Sequence, residues 1–245
     1  YKPRFEVAPA DPARDVPAAL MRIASAAFRR PATEEHVAPY AALYAQERAG
    51  GASVEAALRT AAAAIFCAPQ FLYLQEPAGR LDDYALASRL SYFLIRTAPD
   101  AELLAAASSG RLTGDPTELR RQTDRLLAHP HHERFVADFT DAWLNLREIE
   151  FTNPDETLYP EFDRPLQHAM VAETRAFWSE LISRNLPVVN VVKSDFAMLN
   201  ERLAKHYGIP GVFGNEFRKV KLPPCSHRGG VLTHASVLKV TADGT

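Results

Sequence analysis

Apolar residues recur at the spacing of a helix face along most of this chain, and the runs are bracketed by residues that start and stop helices. Leu20, Ile23, Ala24, Ala27 and Phe28 fall at i, i+3, i+4, i+7 and i+8, one stripe of a helix over about 16–29. Arg29-Arg30-Pro31 ends it, because proline drives the residue before it out of the helical region. Thr33 is an N-cap for a second helix to about 49, with Glu34 and Glu35 at the positive end of its dipole. Gly50-Gly51 stop it, and Ser53 caps a third helix that ends before Pro69. Short loops between the three predict an antiparallel bundle. Abundant alanine and only 11 glycines in 245 residues favour helix throughout.

The pattern continues beyond a proline- and glycine-bearing stretch at 75–80. Leu81-Asp82-Asp83 opens a helix carrying Leu86, Leu90, Phe93 and Leu94. Pro99 and Asp100 restart a short one, which Gly110 closes. Asp115-Pro116 is an N-cap followed by proline at the first helical position. The next stripe holds Phe135, Phe139, Trp143 and Leu144. The helix after Pro165 is the longest, with Met170, Thr174, Phe177, Trp178, Leu181 and Ile182 on its inner side. A last helix spans Leu199 to Tyr207, with Gly208 placed as its C-terminal cap. Phe217 to Leu222 alternates apolar and basic residues, as a short strand or an extended loop does. Val231 to Val240 is apolar without a period that assigns it. The expected class is all-α: a multi-helix bundle with a short extended or β segment near 212–224. The expected divisions are an extended arm or linker over 1–14, a three-helix unit over 15–76, a larger helical unit over 77–211, and the start of a further module over 212–245.

Charge and motifs exclude several functions. The net charge is -2 and no run of five basic residues occurs, so nucleic acid is not an expected partner. No stretch reaches the ~20 apolar residues of a membrane span. The chain begins at Tyr1 and reads as a piece of a longer protein. Cys67 and Cys225 allow one disulfide without requiring it, and a free Cys67 buried on an apolar helix is the simpler reading. There is no Gly-rich phosphate loop, nucleophile elbow, His-Glu-x-x-His zinc helix or Glu-x-x-His di-iron pair. Without Cys-x-x-Cys-His, no c-type haem is attached to this chain in the usual way.

Three segments hold candidate chemistry. His129, His131 and His132 surround Pro130 and are weak metal candidates, since this spacing does not force convergence; His129 facing a helix C-terminus is the plainer account. His206 and Tyr207 end a helix, either as a polar pair at a cleft or as part of a capped terminus. Arg228-Gly229-Gly230 could bring backbone N–H groups and a guanidinium to an anion, or form a tight turn with a structural arginine. His234 and Ser236 follow it without an identifiable third triad member. Arg29 and Arg30 are expected to satisfy helix-end carbonyls or form a salt bridge. Thr241 to Thr245 would adjoin a new N-terminal Thr or Ser nucleophile if processed there, although simple continuation of the chain is the plainer account.

Five segments in order carry a resemblance: Ala27-Phe28-Arg29-Arg30-Pro31; Ala68-Pro69-Gln70-Phe71-Leu72-Tyr73; Leu81 to Leu94; Asn200 to Gly211; and Arg228 to Leu238. Together they resemble the planctomycete-type domains of unknown function found beside cytochrome c modules, the PSD and PSCyt families. Ile95 departs from the pattern, where the family usually has tryptophan. The resemblance implies an exported multidomain protein, extracytoplasmic in the periplasm or secreted. It also implies a c-type haem on another module or subunit and partners within the same assembly. It supplies no reaction and no catalytic residues.

Three functions follow as expectations. The first is an accessory or catalytic part of an extracytoplasmic, cytochrome-linked oxidoreductase; it requires His206, Tyr207, Arg228 and His234 to converge. The second is a non-catalytic scaffold with an exposed apolar surface. The third is an exported hydrolase, which needs paired carboxylates from among Asp138, Asp141, Glu173 and Glu180.

Overall fold

The computed structural model describes residues 11–74, 76 and 78–242. The chain forms two compact units, Tyr1–Tyr92 with Thr97–Thr123 and Phe93–Arg96 with Asp124–Thr245. It is predominantly helical, with a single two-stranded antiparallel sheet among the described residues.

In the first unit, α1 (Pro12–Phe28), α2 (Glu34–Ala49) and α3 (Val54–Phe66) enclose Leu20, Ala24, Phe28, Val37, Ala61 and Ile65. The helical turn at 12–14 corrects the expected arm. The Asp11 carboxylate accepts the Ala13 N–H at 3.1 Å, and proline at the first position gives up an N–H that would have no helical partner. Residues 1–10 of that arm lie outside the described residues. Thr33 caps α2 in a reciprocal pairing with His36, whose Nδ1 accepts the Thr33 N–H at 3.2 Å.

At the arginine corner Arg29 satisfies carbonyls, while the salt bridge made by Arg30 is exposed rather than buried. Arg29, in a left-handed conformation at φ 60° and 6% exposed, donates to the carbonyls of Gln70, Phe71 and Tyr73 around α4 (Pro69–Leu72). Arg30 pairs with Asp82 at 3.1 Å. Cys67, by contrast, is exposed and free, because it lies past the last turn of α3 on the side away from Ala61 and Ile65.

The remaining helices before the second unit's core are α5 (Asp83–Ile95), α6 (Ala101–Ser108), α7 (Arg111–Gly114) and α8 (Pro116–Leu127). The Asp83 carboxylate gathers the N–H groups of Leu112 and Thr113 and the Thr113 hydroxyl at 2.7–3.1 Å. The expected inner stripe of α5 is rotated. Ala87, Ser88, Ser91, Leu94 and Ile95 are buried, at i, i+1, i+4, i+7 and i+8, while Phe93 is 64% exposed.

The second unit is built on α9 (Glu133–Trp143) and α10 (Arg164–Ser183). Asp163 caps α10 by accepting the Leu166 N–H at 2.7 Å. Strand β1 (Phe196–Leu199) pairs antiparallel with β2 (Arg218–Lys221). The strand near 212–224 is therefore present. Its partner, Phe196–Leu199, overlaps the start expected for the last helix, so that helix, α11 (Glu201–His206), is shorter and begins after the Asn200 cap. Val231–Thr233 forms a 3-10 turn leading into α12 (Ala235–Thr241). Residues 243–245, and with them most of the conjectured processing site, lie outside the described residues. Leu166, Met170, Leu199, Leu203 and Ala235 share one core cluster; Phe177, Leu181, Phe196 and Val231 share another.

An aromatic row runs through this unit. Phe93 meets Phe135 at 4.9 Å, Phe135 stacks on Phe139 at 5.8 Å, and Phe139 on Trp143 at 5.7 Å. Trp178 stands edge-on to Trp143 at 5.6 Å.

Candidate functional site

Two adjacent residues at the centre of α10, Glu173 and Thr174, are among the buried polar groups of the second unit. The capped end of α11 brings Tyr207 to the first of them. Its hydroxyl donates to Glu173 Oε2 at 2.5 Å and accepts the Ala235 N–H at 2.8 Å. The guanidinium of Arg228 stacks 3.5 Å above the Tyr207 ring and donates to the Thr233 carbonyl at 2.9 Å. Thr174 Oγ1 lies 2.9 Å from His234 Nδ1 and 2.7 Å from the Ser236 hydroxyl.

Burial sets the charge states here. It pushes Glu173 up to about 8, against the milder opposing effects of the Tyr207 hydrogen bond and Arg228, so its carboxyl is protonated at neutral pH. It also pushes the Tyr207 phenol upward, helped by Glu173. His234 falls to about 4 through burial, with Arg228 adding to the effect, and its ring is neutral. With Glu173 and His234 both neutral, these buried positions carry no net charge that the interior would have to stabilise.

Glu173, Tyr207, Arg228 and His234 line a small void of about 10 Å³, no larger than one water molecule. Arg228 also lines an open cleft of about 210 Å³ on the same unit, together with His206, Lys239, Glu161, Phe162, Tyr159, Met170 and Leu238. His206 Nδ1 is 3.7 Å from Glu161, and burial lowers its basicity more than Glu161 raises it. Lys239, only 9% exposed, donates its ammonium to the carbonyls of Ile149 at 2.5 Å and Thr152 at 2.8 Å. Burial lowers its basicity as well, with Glu150 acting weakly the other way.

The four residues singled out near the C-terminal end thus meet in the second unit: Tyr207, Arg228 and His234 around the void, His206 and Arg228 on the cleft. Lys239 was not foreseen. Its signal is a lysine four residues after Ala235, on the buried side of an apolar run. Two N–H groups of the glycine turn are taken up by neighbouring side chains. Arg228 N–H goes to Ser226 and Gly229 N–H to Thr233 Oγ1. Both glycines instead permit close backbone packing: a Cβ at Gly229 would sit 2.4 Å from the Ser194 carbonyl oxygen, and one at Gly230 2.4 Å from that of Val192.

The other candidates fall elsewhere. His129 accepts the His131 N–H at 3.1 Å, and the His131 and His132 rings each keep one buried nitrogen without a partner. Among the described residues no group of three His, Cys, Asp or Glu side chains is placed to hold a metal. Asp138 pairs with Arg96, Asp141 with Arg175 and Glu180 with Lys219, while Glu173 faces Tyr207. The hydrolase reading is left without its paired carboxylates. A c-type haem does not fit this chain: Cys67 precedes Ala68-Pro69, Cys225 precedes Ser226-His227, and both thiols are free. No helix among the described residues is long and apolar enough to cross a membrane.

Comparison with known proteins gives two family matches. The PSD4 model, described as a protein of unknown function (DUF1592), matches residues 81–209, more than half of the chain. The PSD5 model, described as a protein of unknown function (DUF1595), matches residues 15–76. No curated protein and no solved structure matches the chain. The polar core, the cleft and the helical framework described above therefore belong to a member of the planctomycete-type PSD4 family, with a PSD5 segment ahead of it in the sequence.

Proposed function

We propose that this chain is the ligand-binding part of an exported, cytochrome-c-linked oxidoreductase, working outside the cytoplasm with its haem on another module or subunit. The observation that carries the binding role is the placement of His206, Arg228 and Lys239 on one cleft, backed by the Tyr207–Glu173 pair. Clefts with apolar walls and a few convergent polar groups are where ligands bind. Arg228 supplies direction and charge. His206, whose basicity burial lowers, is a group on the cleft able to take up a proton from a bound molecule. The cytochrome link and the extracytoplasmic setting rest on the family resemblance.

The test is the visible absorbance spectrum and metal content of the full-length protein with its co-purifying subunits. Bands of a c-type haem support the reading. The absence of any redox centre from the protein and its partners overturns the oxidoreductase assignment.

A second reading, a non-catalytic interaction module, is favoured by the aromatic row, in which Phe93 is 64%, Trp143 52% and Phe139 36% exposed. It expects substitutions in that row, rather than in the cleft, to release the co-purifying subunits.

A further inference from the structure

The cleft holds two cations, and the one carboxylate that lines it, Glu161, stands 3.7 Å from His206 rather than against either of them. Arg228 and Lys239 both line it, and neither has an acidic side chain within salt-bridge distance among the described residues. Arg228 spends one nitrogen on the Thr233 carbonyl and stacks on Tyr207. Lys239 is held by two carbonyls with its ammonium 5.3 Å above the Phe162 ring. The acids nearby do not neutralise them. Glu161 and Glu150 are exposed and screened by water, and Glu173 carries its proton. Partly buried cations without counter-charges are costly to the protein alone and are relieved by an anion.

Besides Thr152, Glu161 and His206, the remaining wall is largely apolar, with Phe162, Tyr159, Met170, Leu238 and Pro154. The volume of about 210 Å³ is below the roughly 300 Å³ at which pockets begin to hold drug-sized ligands. A molecule held wholly within this volume is small, and an inorganic anion would leave the apolar part of the wall without a partner. Arginine matches a carboxylate with two parallel hydrogen bonds.

We propose that this cleft binds a small organic carboxylate, its head between Arg228 and Lys239 and its apolar body against Phe162, Tyr159 and Leu238. The assignment deepens the proposed function by naming the ligand class of the same site, and it rests on that reading only for the site's role in a reaction.

Calorimetric titration of the full-length protein with benzoate and hexanoate tests it, against benzamide as the neutral isostere and inorganic phosphate as the bare anion. Benzoate or hexanoate is expected to bind at least tenfold more tightly than benzamide or phosphate. Lys239→Met is expected to weaken that binding at least tenfold, as is Arg228→Gln. Leu238→Trp, at a half-exposed position, fills the cleft and is expected to abolish binding even if the charge variants fold poorly. Equal binding of benzamide overturns the anionic head, equal binding of phosphate overturns the apolar body, and no binding by any probe overturns the site. A protein that binds benzoate but holds no redox centre keeps this site and loses the oxidoreductase reading. A haem-linked protein that binds none of the probes does the reverse.

Discussion

The hydroxyl of Tyr207 lies 2.5 Å from the carboxyl of Glu173, joining the end of one helix to the middle of the longest one. That hydroxyl also receives the Ala235 N–H, so a single phenol satisfies groups from two other helices. Tyr207→Phe leaves a buried acid and a buried N–H each short of a partner. It is expected to destabilise the protein by about 1–3 kcal/mol in denaturant unfolding. Because that hydrogen bond opposes the effect of burial, the Glu173 titration should also move further upward.

Glu173 makes stability fall with rising pH. Its ordinary value is 4.5 and its folded value about 8, so between these the folded protein keeps a proton that the unfolded chain has released. The contribution is complete below pH 4.5 and lost as pH rises through 8. In Glu173→Gln the slope disappears. The difference in unfolding free energy between wild type and variant is expected to change by roughly 2–4 kcal/mol from pH 5 to 8.5.

His234 acts with the opposite slope. Its ordinary value is 6.5 and its folded value about 4, so in this range the unfolded chain takes up a proton that the folded protein refuses. Stability is full above 6.5 and is lost as pH falls towards 4. Replacing the ring in His234→Asn should flatten the acid side of the stability profile by roughly 1–3 kcal/mol, measured by thermal unfolding between pH 4 and 7. An unchanged acid limb in the variant would mean the ring is not buried neutral.

Gly230 has φ 93°, and a Cβ there would meet the Val192 carbonyl oxygen at 2.4 Å. Gly230→Ala is expected to cost more than about 2 kcal/mol, read from the denaturant midpoint. Gly79→Ala provides a control, since nothing lies within 4 Å of the added Cβ and only the positive φ opposes it.

The chain's two tryptophans, Trp143 and Trp178, stand edge-on with ring centroids 5.6 Å apart. Their coupled transitions should give a near-ultraviolet circular dichroism signal that Trp143→Phe and Trp178→Phe each remove. Two single variants whose spectra add up to that of the wild type would contradict the pairing.

The helices were legible because capping chemistry is local. Thr33, Ser53, Asp100, Asp163 and Asn200 each accept a backbone N–H two or three positions into the helix they start. The rotated face of α5 was not, since burial there follows small residues that no hydropathy stripe marks. Strand β1 was hidden because Phe196–Leu199 becomes a strand only by pairing with Arg218–Lys221, a contact about twenty residues away. In the candidate site, His206, Tyr207, Arg228 and His234 stood out as polar residues beside turn signals. Lys239 did not, and Glu173 stood out only as one of four carboxylates for a hydrolase, because a charged residue on a helix is ordinarily solvated and only tertiary packing reveals that these two face inward.

The closeness of Gly229 and Gly230 to the carbonyls at 192–194 has a practical consequence for dissecting the protein. The segment matched by the PSD4 model ends at 209, yet the stitch that seats Arg228, His234, Ser236 and Lys239 lies beyond it. A fragment cut at that boundary would keep Glu173, Thr174, His206 and Tyr207 while losing the residues that cover them. Its longest helix would then present the Thr174 hydroxyl without His234 and Ser236, and the Tyr207 hydroxyl would lose the Ala235 N–H. The working unit for expression and crystallisation therefore runs past the matched segment, at least through Thr241.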